Sequence, residues 1–114
     1  MNEDFVTFEL AKKLKKKGFD KECFAHYDDL GNLLLDKDYW KLDSHILAPI
    51  ISQVLKWLRE EKEIMVFPVY STNTSKWYCV AINADSLEQY KLSLSDSYEE
   101  AAIAGIKYVI DNLI

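Results

Sequence analysis

The stretch "APIISQVLKWLREEKEIMVFPVY", residues 48–70, decides the reading of this chain. Pro49 fits the first helical position, where its missing N–H costs nothing, and Ala48 before it is biased to extended geometry. On a helical wheel, Ile50, Ile51, Val54, Leu55, Trp57 and Leu58 fall on one arc of roughly 160°. Ser52, Gln53, Lys56, Arg59 and Glu60 fill the rest. That pattern predicts a helix over 49–62 that buries one wide face against a sheet. After "EEKE" the period changes. "IMVFPVY" (64–70) is apolar on both alternations and rich in β-branched and aromatic residues, which predicts a largely buried strand. Pro68 cannot donate to a ladder, so it marks a bulge, a strand end or an edge.

Downstream, "KWYCVAINA" (76–84) repeats the doubly apolar pattern, and "STNTS" before it is hairpin-loop chemistry. "EQYKLSLSD" (88–96) alternates, with Tyr90, Leu92 and Leu94 on one face, and predicts a third, half-exposed strand. The last element starts with the capping box "SYEE", Ser97 at the N-cap and Glu100 at N3. Ala102, Ile106, Val109, Ile110 and Leu113 form its apolar stripe. A second flank carries Ala101, Ala104, Gly105 and Tyr108. Glycine in mid-helix costs up to ~1 kcal/mol, so a close neighbour is expected there, from the same chain or from a partner.

Upstream, residues 3–17 predict a helix capped by Asn2, with Val6, Leu10 and Leu14 on one side. Gly18 suits the C′ position, and Phe19 at C″ can pack on Leu14, the contact that accompanies a Schellman stop. The lysines near its end suit the negative pole. "ECFAHYDDLGNLLLD" (22–36) predicts two short strands around an Asp28–Asn32 turn. Residues 37–48 read as irregular.

The chain has 114 residues and a formal net charge of −5. That length suits one domain, 1–114. Thirteen of the fourteen basic residues are Lys, with Arg59 the single Arg. This repertoire is poor for phosphate or guanine recognition and argues against nucleic acid as a partner. No run is apolar enough to span a bilayer, and "MNEDFVTFEL" lacks the order of a signal peptide, so a cytoplasmic protein with no membrane partner is expected. Cys23 and Cys79 read as reduced core residues.

Chemical motifs are sparse. Cys23, His26, His45 and Cys79 match no common zinc spacing. The three glycines, at 18, 31 and 105, form no phosphate-binding loop. Asp28/Asp29, Glu60/Glu61 and Glu99/Glu100 are adjacent in sequence and read as turn or helix-end charges. No catalytic residue, metal or cofactor is expected. Tyr39, Trp40, Ala101, Gly105 and Tyr108 are the candidate interaction surface.

The segments "LAPIISQVLKWLREEKEIMVFPVY" and "SDSYEEAAIAGIKYVIDNLI" resemble a family of small proteins from gut bacteria and their phages or other mobile elements. Its members share an N-terminal "FELAKKLK" helix, the "VLKWLRE" helix, a Trp/Tyr-rich hairpin and a "SYEEA" helix. The resemblance spans nearly the whole chain and implies a biological context without a reaction.

The sequence therefore predicts an α+β fold in the order α-β-β-α-β-β-β-α. An antiparallel sheet, a meander of about three C-terminal strands with strand 76–84 central plus the N-terminal strands, packs against three helices. Val54, Leu58, Ile106 and Val109 are expected to share a dry interior with Val80 and Ile82. The leading functional reading is a non-enzymatic module that binds a protein partner or a second copy of itself as a homodimer. The alternatives are a winged-helix-like nucleic-acid-binding accessory protein, or a small enzyme using His26 or His45.

Overall fold

The structure is a computed structural model, described for residues 5–21, 23, 25–35 and 46–114. It is α+β, with three helices and two three-stranded antiparallel sheets among the described residues. The chain divides into two compact units, Met1–Ile50 and Ile51–Ile114.

In the first unit, helix α1 spans Phe8–Lys16. It starts later than the sequence pattern suggests, because Thr7 caps it, accepting from the Leu10 N–H at 3.2 Å. The residues just before it are extended instead: Phe5 bridges Ile50, and the Val6 N–H donates to the Pro49 carbonyl at 3.1 Å. Asn2, Glu3 and Asp4 lie outside the described residues. The far end is the expected Schellman stop. Gly18 has φ +94°, its N–H donates to the Lys15 carbonyl, and the Phe19 N–H donates to the Leu14 carbonyl at 3.0 Å. Leu14 and Phe19 are both buried.

Strands β1 (His26–Tyr27) and β2 (Leu33–Leu34) form the expected hairpin. Asp28 holds its turn, its carboxylate accepting from the backbone N–H of Leu30 and of Asn32, each at 2.9 Å. An additional strand, β3 (Ile46–Leu47), pairs with the other side of β1, within a stretch whose sequence read as irregular. These strands make a sheet of their own, in the order β2-β1-β3, and do not extend the C-terminal meander. Helix α1 packs on β3. The Tyr27 hydroxyl, buried, donates to the Val6 carbonyl at 2.6 Å.

The second unit holds α2 (Ile51–Glu61), β4 (Ile64–Ser71), β5 (Lys76–Asn83), β6 (Gln89–Lys91) and α3 (Tyr98–Asn112). Helix α2 starts at Ile51 and not at Pro49, because residues 49 and 50 are drawn into pairing with residues 5 and 6. Its buried residues are Ile51, Val54, Leu55, Trp57 and Leu58, the arc expected from the wheel. The meander is antiparallel, with β5 central, as expected. Helix α2 packs on β4 and on α3, and α3 packs on β4 and β5. Helix α3 is capped by Ser97, whose hydroxyl accepts from the Glu100 N–H at 3.1 Å. The Glu100 carboxylate reaches back to the N–H of Asp96, one residue before the cap.

The third strand is shorter than the sequence pattern over 88–96. Lys91 pairs with Val80, but Ser95 pairs with Trp77, so three residues, Leu92 to Leu94, stand opposite two, Tyr78 and Cys79. The extra residue is a bulge, which breaks both the ladder and the alternation. Leu94 is left half exposed. Ser95 and Trp77 nevertheless exchange two backbone bonds, at 2.7 and 2.9 Å. They anchor the start of α3 beside an edge-to-face chain of Tyr70, Trp77 and Tyr98, with centroids 5.3 and 5.4 Å apart.

The contact that seats α3 is at Gly105. A β-carbon there would collide with the Cys79 sulfur and lie 2.8 Å from Val66 Cγ1. Ala101, Ala102, Ile106 and Val109 are fully buried around it. Gly105→Ala should gain about 1 kcal/mol of helix propensity but lose more, ~1–3 kcal/mol, to overpacking. The expected net result in urea unfolding is a destabilised protein, with a smaller penalty when Cys79→Ala is already present. Equal penalties in both backgrounds would show that the sulfur does not set the spacing.

Candidate interaction surface

The residues picked out by sequence separate in the structure. Ala101 and Gly105 do not form a partner surface. They are buried inside their own unit, and the close neighbour expected at Gly105 is Val66 and Cys79 of the sheet. Tyr108 is half-buried and packs on Tyr90, with centroids 5.5 Å apart. Tyr39, Trp40 and His45 lie outside the described residues.

The chemistry-bearing side chains are in structural settings. His26 is buried on β1. The Cys23 thiol is buried and donates to the Lys21 carbonyl at 3.2 Å. Cys79 is fully buried between the sheet and α3, and burial pushes its thiol up to about 11. Among the described residues no group of three or more His, Cys, Asp or Glu is placed to hold a metal ion. Asp28 and Glu100 are engaged with backbone N–H groups of a turn and a helix start. The exposed arc of α2 carries Ser52, Lys56, Arg59 and Glu60, nearly balanced in charge. No described helix is long and apolar enough to cross a membrane.

What remains is the second face of the C-terminal sheet. Side chains alternate along β4 and β5, so Ile64 and Val66 share one face with Cys79 and Ala81, and both helices cover that face. Met65, Phe67 and Val69 point the other way, directly opposite Ile82, Val80 and Tyr78 on β5. Five of these six are half-buried, and Phe67 is 40% exposed. Val80 and Ile82 thus do not share the interior of Val54, Leu58, Ile106 and Val109, as the sequence suggested. They are held off it by strand parity. β6 adds Gln89 beside Ile82 and Lys91 beside Val80 to this face, and the Lys91 ammonium lies 4.6 Å over the Tyr78 ring.

The edge of the sheet is guarded, while the face turned from α2 and α3 keeps Phe67 exposed. On β5, Trp77, Cys79 and Asn83 direct their backbone bonds toward the β6 side. In an antiparallel ladder the alternate residues then bond β4, and their partners there are Met65, Phe67, Val69 and Ser71. Ile64, Val66, Pro68 and Tyr70 therefore turn their backbone groups to the outer edge. Pro68 has no N–H to offer, which blunts β4 against pairing with another strand.

Comparison of the chain with protein-family models, characterised proteins and solved structures finds no match. The face itself was legible only in part. The doubly apolar pattern of 64–70 and 76–84 predicts burial on both sides, but α2 and α3 both take the side of Val66 and Cys79.

The setting of Cys79 has two consequences. At pH 8 its alkylation should proceed only through unfolding, so its rate should rise with urea. The thiol is held neutral in the fold but ionises more easily in the open chain. Its contribution is fully present below about pH 9 and is lost as pH rises toward about 11. A pH titration of urea midpoints, comparing the protein with Cys79→Ala, checks this. A midpoint difference unchanged between pH 8 and 11 would rule it out.

Proposed function

We propose that this chain is a non-enzymatic, protein-binding module that works through the open face of its C-terminal sheet. The observation that carries the reading is the row of Met65/Ile82, Phe67/Val80 and Val69/Tyr78 pairs on the side away from both helices. Contiguous apolar surface of this kind on a folded domain marks an interaction site, and aromatic residues such as Phe67 and Tyr78 are the usual anchors of one. The net charge of −5 and the single arginine favour protein over nucleic acid as the partner. The resemblance to small proteins of gut bacteria, phages and mobile elements supplies the context, a cytoplasmic accessory protein.

Affinity purification from a gut-bacterial host, with the protein and its Phe67→Lys variant side by side, tests the reading. Phe67 is 40% exposed, so the variant should keep its circular dichroism spectrum and melting temperature within a few degrees. The expected result is a stoichiometric protein partner, or a second copy, recovered with the unaltered chain and lost with the variant. Recovery of the same material with both, or of nucleic acid in its place, would refute the reading.

A further inference from the structure

Resting on that reading, we infer that the occupant of the open face is a single amphipathic α-helix from a partner, about five turns long, with a carboxylate facing Lys91.

Dimensions come first. β4 and β5 have eight residues each. At ~3.4 Å per residue and ~4.8 Å between strands, their apolar face is roughly 27 Å long and ~10 Å wide, on the order of 300 Å². Stable pairing of two globular copies takes about 800 Å² from each. The face falls well short of that, so a second copy laid sheet to sheet is the poorer fit. A helix is about 10 Å across and rises 1.5 Å per residue, so roughly 18 residues run the length of the face. One helical stripe of residues spaced i, i+3, i+4, i+7 matches a surface two strands wide.

The edge excludes the other common mode. Strand addition needs a run of outward N–H groups, and Pro68 removes one in the middle of β4. On the opposite edge β6 has three paired residues before its bulge. A partner is thereby directed to the face.

Charge sets the remaining feature. Lys91 borders the face on the β6 flank, over Tyr78. Lys76, at the end of the face, is already held by Asp96 at 2.6 Å. Lys91 is the cation positioned beside the aromatic anchor. A carboxylate on the flank of the docked helix would meet it at the rim of an apolar contact, where such pairs set orientation and on-rate.

Two displayed libraries test this: 18-residue helices on a rigid scaffold with one face randomised, and extended hairpin peptides of the same length. The expected result is enrichment from the helical library. Phe67→Lys and Val80→Lys should each weaken the selected clones at least tenfold, with unchanged circular dichroism. Lys91→Glu should weaken them about threefold, and replacing the peptide's acidic residue with Lys should restore binding. Enrichment from the hairpin library alone, or helical clones indifferent to Phe67→Lys, would overturn the helix as occupant while leaving protein binding in place. A dimer in sedimentation that Phe67→Lys dissociates would do the same in favour of a second copy. No Phe67-dependent binding in either library, with a monomer throughout, would sink both.

Discussion

The structure of the C-terminal unit depends on how closely α3 can approach the sheet at Gly105. The helix backbone lies against the Cys79 sulfur and the Val66 methyl, with no room for a β-carbon. Small residues at 101, 102 and 105 let a helix sit that low, with Ile106, Val109 and Ile110 buried beside them and α2 packed on α3. The fold accepts a poor helix former at that position because the close approach returns more in packing than the glycine costs. Ser97, Glu100 and the Ser95–Trp77 bonds fix where the helix begins, so its register on the sheet is set at one end by hydrogen bonds and in the middle by shape.

A sheet committed so fully on one side has its other side defined by default. Side-chain alternation permits no compromise: when Val66, Cys79 and Ala81 face the helices, Phe67, Val80 and Ile82 must face away. A purely structural sequence would place polar residues there, as antiparallel sheets with one wet face do. This one keeps Met, Phe, Val, Tyr, Val and Ile. The proline on the edge and the bulge on the short third strand restrain edge-to-edge pairing, so the exposed apolar surface is retained while the aggregation route through the strand edges is narrowed.

Much of this was legible in the residues. The Schellman stop at Leu14–Gly18–Phe19, the buried arc of α2, the centrality of β5 and the Ser97 cap all follow from local chemistry acting within a few residues. The departures come where distant residues compete. Asn2 was a reasonable cap until Phe5 and Val6 paired with residues 49 and 50, which moved the starts of both α1 and α2. Tyr90, Leu92 and Leu94 alternate well in sequence, but a bulge against β5 inserts a residue between the two anchored ends. The candidate surface suffered from a related ambiguity. A glycine flank on a helix reads the same whether a partner or the chain's own sheet lies against it, and a doubly apolar strand reads the same whether its second face is covered or open. Local pattern identifies faces; only the register of the hairpin tells which face the helices take.

The central claim is that one face of the β4–β5 hairpin is dry and the other meets solvent. Methyl NMR with a soluble paramagnetic probe measures it most directly. The account predicts strong relaxation enhancement at the methyls of Val69, Val80 and Ile82 and little at those of Val66, Ile106 and Val109. Equal protection of the two sets in the monomeric protein would contradict it.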